Sequence, residues 1–187
     1  MQSFKEQFLS MAFSPDGTRL AGAVLYDATR PSLSRTVQVW DLTTSRLLLG
    51  LTGHKINVAS VAFSPNGSVL ATSGHDNVIR LWDATTGQGL FVLKGHITSV
   101  VALAFAWDGK TLASGGTDGT VKLWHVQTGQ ELSSQRIFPG QVSRLTFSPT
   151  GNALAVGFSD ANSPMQLLRG QSLVEIDAVE KAQALAK

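Results

Sequence analysis

Three short segments alternate apolar and polar residues and end in tryptophan: Val37-Gln38-Val39-Trp40, Ile79-Arg80-Leu81-Trp82 and Val121-Lys122-Leu123-Trp124. A side-chain period of two predicts strands, with Val37 and Val39 and their counterparts Ile79, Leu81, Val121 and Leu123 on one face. Gln38, Arg80 and Lys122 fall on the other face, beside the tryptophan. Ahead of each lies a short apolar strand, Arg19–Val24, Val69–Thr72 and Thr111–Ser114, and a fourth of the same kind is Ala153–Gly157. A turn tetrapeptide following a phenylalanine introduces each one: Ser14-Pro15-Asp16-Gly17, Ser64-Pro65-Asn66-Gly67, Ala106-Trp107-Asp108-Gly109 and Ser148-Pro149-Thr150-Gly151. Proline presets φ at the second position and glycine accepts a positive φ at the fourth, so four copies of one hairpin are expected. After each tryptophan strand a loop leads to an outer strand, at Leu47–Leu51, Leu90–Leu93 and Glu131–Arg136.

These units repeat at a fixed interval. His54 and His96, Phe63 and Phe105, Asp76 and Asp118, and Trp82 and Trp124 are each 42 residues apart, and the same step joins Trp40 to Trp82 and Phe105 to Phe147. A period of ~40–45 residues with Gly-His and Trp-Asp signatures marks four-stranded propeller blades. On these residues the chain resembles the WD-repeat β-propeller family, with bacterial-looking repeats over nearly its whole length. The resemblance implies an all-β propeller segment over residues 1–170, with blades at about 4–52, 53–94, 95–137 and 138–170 and a tail over 171–187. Three blades are clear and the fourth is weakened. Propellers close with about four to eight blades, so an arc of a larger ring is expected, with a ring completed by two chains as an alternative and self-closure of four blades the least favoured.

The outer repeats depart from the pattern. Phe13 and Phe63 are 50 residues apart, and the extra residues fall around Tyr26–Ser34, where they lengthen a hairpin loop. In the last repeat Met165-Gln166-Leu167-Leu168 stands where a tryptophan strand belongs. Beyond it, Ser172 and Glu175 form a capping-box pattern, which predicts a helix over Leu173–Ala186 with an Asp177–Lys181 pair. Leu173–Ile176 as a fourth strand is the alternative.

His54, Thr72, Asp76 and Trp82 recur as His96, Ser114, Asp118 and Trp124. Imidazole, hydroxyl and carboxylate together look like a hydrolase triad, but a site copied in each blade argues for architecture. In WD-repeat propellers the matching positions form a hydrogen-bonded tetrad, so no catalytic residues are assigned. Asp118→Ala is then expected to cost on the order of 1–3 kcal/mol by stranding buried partners. The first repeat has Phe4, Gly22 and Ser34 at the tetrad positions, and the last has Phe138 and Val156, keeping only Asp160.

Charged residues make up 15% of the chain and the formal net charge is +2, without a Lys/Arg cluster. Nucleic acid is therefore not an expected partner. With no cysteine, thiolate metal sites are excluded, and no metal or cofactor is expected. No segment reads as a signal peptide or membrane span, so a cytoplasmic location is expected, with no membrane partner. The resulting expectation is a non-enzymatic scaffold that binds a protein or peptide through Lys55, His75, Ser99 and Thr117 on the narrow face, with self-association through open propeller edges. The alternative is a C-terminal regulatory or sensing segment of a larger signalling enzyme, because similar repeats often follow catalytic or signalling domains in bacterial proteins.

Overall fold

The structure, a computed structural model, describes residues 7–25, 36–160 and 163–169. The Tyr26–Ser34 insertion, Phe4 and the predicted C-terminal helix lie outside the described residues. Among those described, all regular structure is β, in four antiparallel sheets. Blade 1 comprises β1 (Phe8–Phe13), β2 (Arg19–Val24), β3 (Val37–Asp41) and β4 (Leu47–Leu51). Blade 2 comprises β5 (Val58–Phe63), β6 (Val69–Gly74), β7 (Val78–Asp83) and β8 (Gly89–Lys94). Blade 3 comprises β9 (Val100–Phe105), β10 (Thr111–Gly116), β11 (Thr120–His125) and β12 (Glu131–Arg136), and blade 4 β13 (Val142–Phe147), β14 (Ala153–Phe158) and β15 (Gln166–Arg169). Strands pair in chain order within each blade.

The turn residues account for the hairpins. Gly17, Gly67, Gly109 and Gly151 take φ of 70°, 71°, 71° and 73°, a region that costs glycine little. In three of the turns the leading serine hydroxyl accepts the amide that opens the next strand, from Arg19 and Val69 at 2.9 Å each and Ala153 at 3.1 Å. Gly115 and Gly116, side by side in the chain, end β10 rather than form a turn. The reason is steric: a Cβ on Gly115 would overlap Val142 of β13, so glycine lets the neighbouring blade come close.

The core lies between blades. Ala21, Val37 and Val39 of blade 1 pack against Val61, Leu70 and Trp82 of blade 2, and the same contact recurs at the next two junctions. Arg19 helps to clamp the first junction by donating to the Ala84 and Gly67 carbonyls at 2.6 and 3.1 Å. The inner strands β1, β5, β9 and β13 pack in succession, with no comparable contact from β13 back to β1. The four blades thus form an open arc whose stability is built from nearest-neighbour interfaces.

Both ends of the arc expose what the interior buries. Met11 occupies the register of Val61 yet is 60% exposed, against 6% for Val61. At the other end Leu167 pairs with Ala155 as Leu81 pairs with Ala71, and Met165, two residues earlier, is 68% exposed where Ile79 is 0% exposed.

Candidate functional site

In blade 2 one chain of hydrogen bonds ties four strands and loops together. The Trp82 indole Nε1–H donates to Thr72 Oγ1 at 2.9 Å. Thr72 Oγ1 lies 2.8 Å from His54 Nε2, while His54 Nδ1 lies 2.9 and 3.1 Å from the Asp76 carboxylate oxygens. A lone pair on Nδ1 facing a carboxylate would be repelled, so Nδ1 carries the proton and Nε2 accepts the Thr72 hydroxyl. Burial pushes the His54 pKa down, against the pull of Asp76, which favours this neutral form. Asp76 Oδ2 also accepts the Lys55 amide at 2.8 Å. Thr72 has no exposed surface and its hydroxyl already accepts and donates, so no substrate carbonyl can reach it as it would a hydrolase nucleophile.

Blade 3 repeats half of this. Trp124 Nε1–H donates to Ser114 Oγ at 2.8 Å and His96 Nε2 lies 2.7 Å from the same oxygen. The expected link from His96 to Asp118 is not made: His96 Nδ1 is buried without a partner. Asp118 instead accepts the Thr120 amide at 3.0 Å, an Asx-type bond within its own turn that competes with the reach to the imidazole. Asp118 is therefore corrected from tetrad member to turn residue. Burial, reinforced by the nearby Lys122 charge, lowers the His96 pKa to about 4.

The flanking blades fill these positions with apolar groups. In blade 1 the Phe8 ring lies where a side chain on Gly22 would project. In blade 4 the Phe138 and Phe158 rings pack at a tilt of 51° with centroids 5.2 Å apart, and Val156 is fully buried. Asp160 accepts the Ser163 hydroxyl at 3.1 Å.

The four residues expected to meet a partner gather where blades 2 and 3 adjoin. His75 Nδ1 lies 3.2 Å from Ser99 Oγ, and the Thr117 amide donates to the Ser99 carbonyl at 3.0 Å. Lys55 is exposed and joins this rim through its amide bond to Asp76. Asn77 Nδ2 donates to the Ile97 carbonyl at 3.1 Å, holding a loop on which Ile97 is 84% exposed. Sequence reasoning missed Ile97 and the exposed Ile56. Their signal was present: each is an apolar residue in the polar loop between a Gly-His pair and the next strand. Among the described residues no group of three or more His, Cys, Asp or Glu is placed to hold a metal ion.

The model of the WD40 family (WD domain, G-beta repeat) matches residues 2–41, 45–83 and 87–125. The U5 small nuclear ribonucleoprotein 40 kDa proteins of Pongo abelii and Homo sapiens are each 32% identical over 76 residues, covering 41% of this chain and 19% of theirs. Autophagy-related protein 16 of Arabidopsis thaliana is 45% identical over 42 residues, 22% of this chain and 8% of that protein. The matched stretches thus span less than a fifth of these relatives' lengths. The crystal structure of the computationally designed Ika4 protein superposes with a TM-score of 0.74 at 25% identity, over 91% of this chain and 95% of that one.

Proposed function

The chain belongs to the WD40 repeat family, and on that premise we propose that it is a non-enzymatic scaffold for contacts between proteins. The observation that carries this reading is the rim between blades 2 and 3. There, hydrogen bonds from His75 and Asn77 fix two neighbouring loops, and the exposed Lys55, Ile56 and Ile97 project from a rigid base. Rigid sheets that present loop residues suit recognition of a protein or peptide. The relatives' names, one of them a ribonucleoprotein component, support a role within an assembly. A triple change, Lys55→Ala, His75→Ala and Ile97→Asp, should reduce capture of a partner purified with the wild-type chain while leaving the melting temperature unchanged. Undiminished capture, or collapse of the fold, contradicts the assignment.

The ends of the arc favour a second contact mode. Met11 and Phe13 on blade 1 and Met165 and Leu167 on blade 4 form exposed apolar faces of the kind that every internal junction covers, and such faces favour association. We read them as docking faces for further blades, supplied by the same polypeptide or by a second copy. Light scattering should show self-association of this chain, and Met11→Asp with Leu167→Asp should abolish it. A strictly monomeric wild-type chain contradicts the reading.

A further inference from the structure

The third and fourth strands of blades 2 and 3 place a cation in the same register. In blade 3 it is Lys122, buried, whose Nζ donates to the two Glu131 carboxylate oxygens at 2.9 and 3.0 Å and to Ser134 Oγ at 2.9 Å. Glu131 pairs with Trp124 and Ser134 with Lys122 across the β11–β12 ladder. In blade 2 the corresponding residues across β7–β8 are Gly89, opposite Trp82, and Val92, opposite Arg80. Both groups that satisfy the cation in blade 3 are therefore missing in blade 2.

Arg80 shows the consequence. Its Nε is buried without a hydrogen-bond partner, and no carboxylate among the described residues pairs with its guanidinium. The guanidinium packs against the backbone at Gly53, where an added Cβ would lie 3.3 Å from Cζ. Beside it is an open cleft of about 150 Å³ lined by Arg80, Trp82, Gly89, Leu90, Phe91 and Val92. A Cβ on Gly89 would meet only the Trp82 ring, at 3.7 and 3.9 Å, so space remains where blade 3 holds its carboxylate.

We propose that this cleft is a carboxylate subsite, filled by a glutamate or aspartate side chain of a partner polypeptide that takes the place Glu131 holds in blade 3. Charge complementarity decides the occupant. The planar guanidinium fork carries a full positive charge and matches a carboxylate, for which blade 2 supplies no equivalent of Glu131. Leu90 and Val92, both exposed at the cleft mouth, supply apolar walls, so the acidic residue is flanked by aliphatic neighbours. The cleft lies on the flank of blade 2, apart from His75 and Ser99 on the rim, and its occupancy is testable without the rim's partner.

The test is a nuclear magnetic resonance titration with the blocked tripeptide acetyl-Leu-Glu-Leu-amide, following the Arg80 Nε–H and the Leu90 and Val92 amides. The expected result is saturable shifts, with binding of the acetyl-Leu-Gln-Leu-amide counterpart weaker by about tenfold or more, the loss of one charge-assisted hydrogen bond. Gly89→Glu, which supplies the carboxylate from within the chain, should abolish the response, and Lys122→Met should preserve it. Arg80→Gln gives an independent check, since it should remove the preference for the glutamate peptide. Equal binding of the two peptides, an unaltered response in folded Gly89→Glu, or no shift with the glutamate peptide overturns the proposal.

Discussion

In blade 2 the Asp76 carboxylate reaches the His54 imidazole and the Arg80 cation has no counter-ion among the described residues; in blade 3 Asp118 stands off from His96 and Lys122 is held by Glu131. Each blade thus joins one base to one carboxylate, but at different places in the same frame of strands. The shared part is the hydroxyl that accepts from tryptophan and meets the histidine. That hub is fixed by ladder register, because the hydroxyl-bearing and tryptophan strands pair identically in both blades. The carboxylate is placed instead by the amide it accepts, which differs between the blades. The Lys55 amide draws Asp76 across, whereas Asp118 is held by the Thr120 amide two residues on.

Substitutions at the hub should have the largest effect. Ser114→Ala leaves both the Trp124 indole and the whole His96 imidazole unsatisfied, at a cost of about 2–5 kcal/mol for two stranded groups. Thr72→Val should cost less, about 1–3 kcal/mol, because His54 keeps Asp76. Urea denaturation of both variants checks the order, and the reverse order contradicts the network. Next come the carboxylates. Asp76→Ala should lose about 1–3 kcal/mol by stranding His54 Nδ1–H, and Asp118→Ala only about 0.5–1.5 kcal/mol, the net worth of an ordinary hydrogen bond. Equal losses would return Asp118 to the tetrad.

Acid sharpens the contrast further. The unfolded chain takes up a proton on each histidine near 6.5, while folded His96 stays neutral down to about 4. The stability due to neutral His96 is therefore complete above about 6.5 and is lost as pH falls from there toward 4. His54 shifts in the same direction, opposed by Asp76, so its share is smaller. Denaturation midpoints between these pH values should decline less steeply in His96→Gln than in His54→Gln, and parallel curves would contradict the assignment. The smallest effect is expected from Gly89→Glu, which copies the blade 3 ion pair into blade 2. A partly exposed pair adds about 0–1 kcal/mol, and a clear loss of stability would show that the cleft does not admit the carboxylate.

Much of the fold was legible in the chain because it follows from local rules repeated four times. The alternating residues around Trp40, Trp82 and Trp124 set strand faces, and the glycines of the four turns set the hairpins. The hydroxyl–histidine–tryptophan hub was legible for the same reason, since a fixed period carries each residue to the same register. Two features were not. Asp118 accepts the Thr120 amide of its own turn whereas Asp76 accepts the Lys55 amide, a difference that the shared repeat spacing does not encode. The isolation of Arg80 is visible only when Gly89 is seen opposite Trp82, and the β-bulge between Leu81 and Trp82 shifts that pairing by a residue.

The most direct test of the difference between the blades is an imidazole ¹H–¹⁵N correlation spectrum at neutral pH. The unequal wiring of the two blades gives His54 a protected, hydrogen-bonded Nδ1–H signal that disappears in Asp76→Ala, and gives His96 no such signal sensitive to Asp118→Ala. Matching carboxylate-dependent Nδ1–H signals from both histidines would show that the two blades are wired alike and would contradict the account.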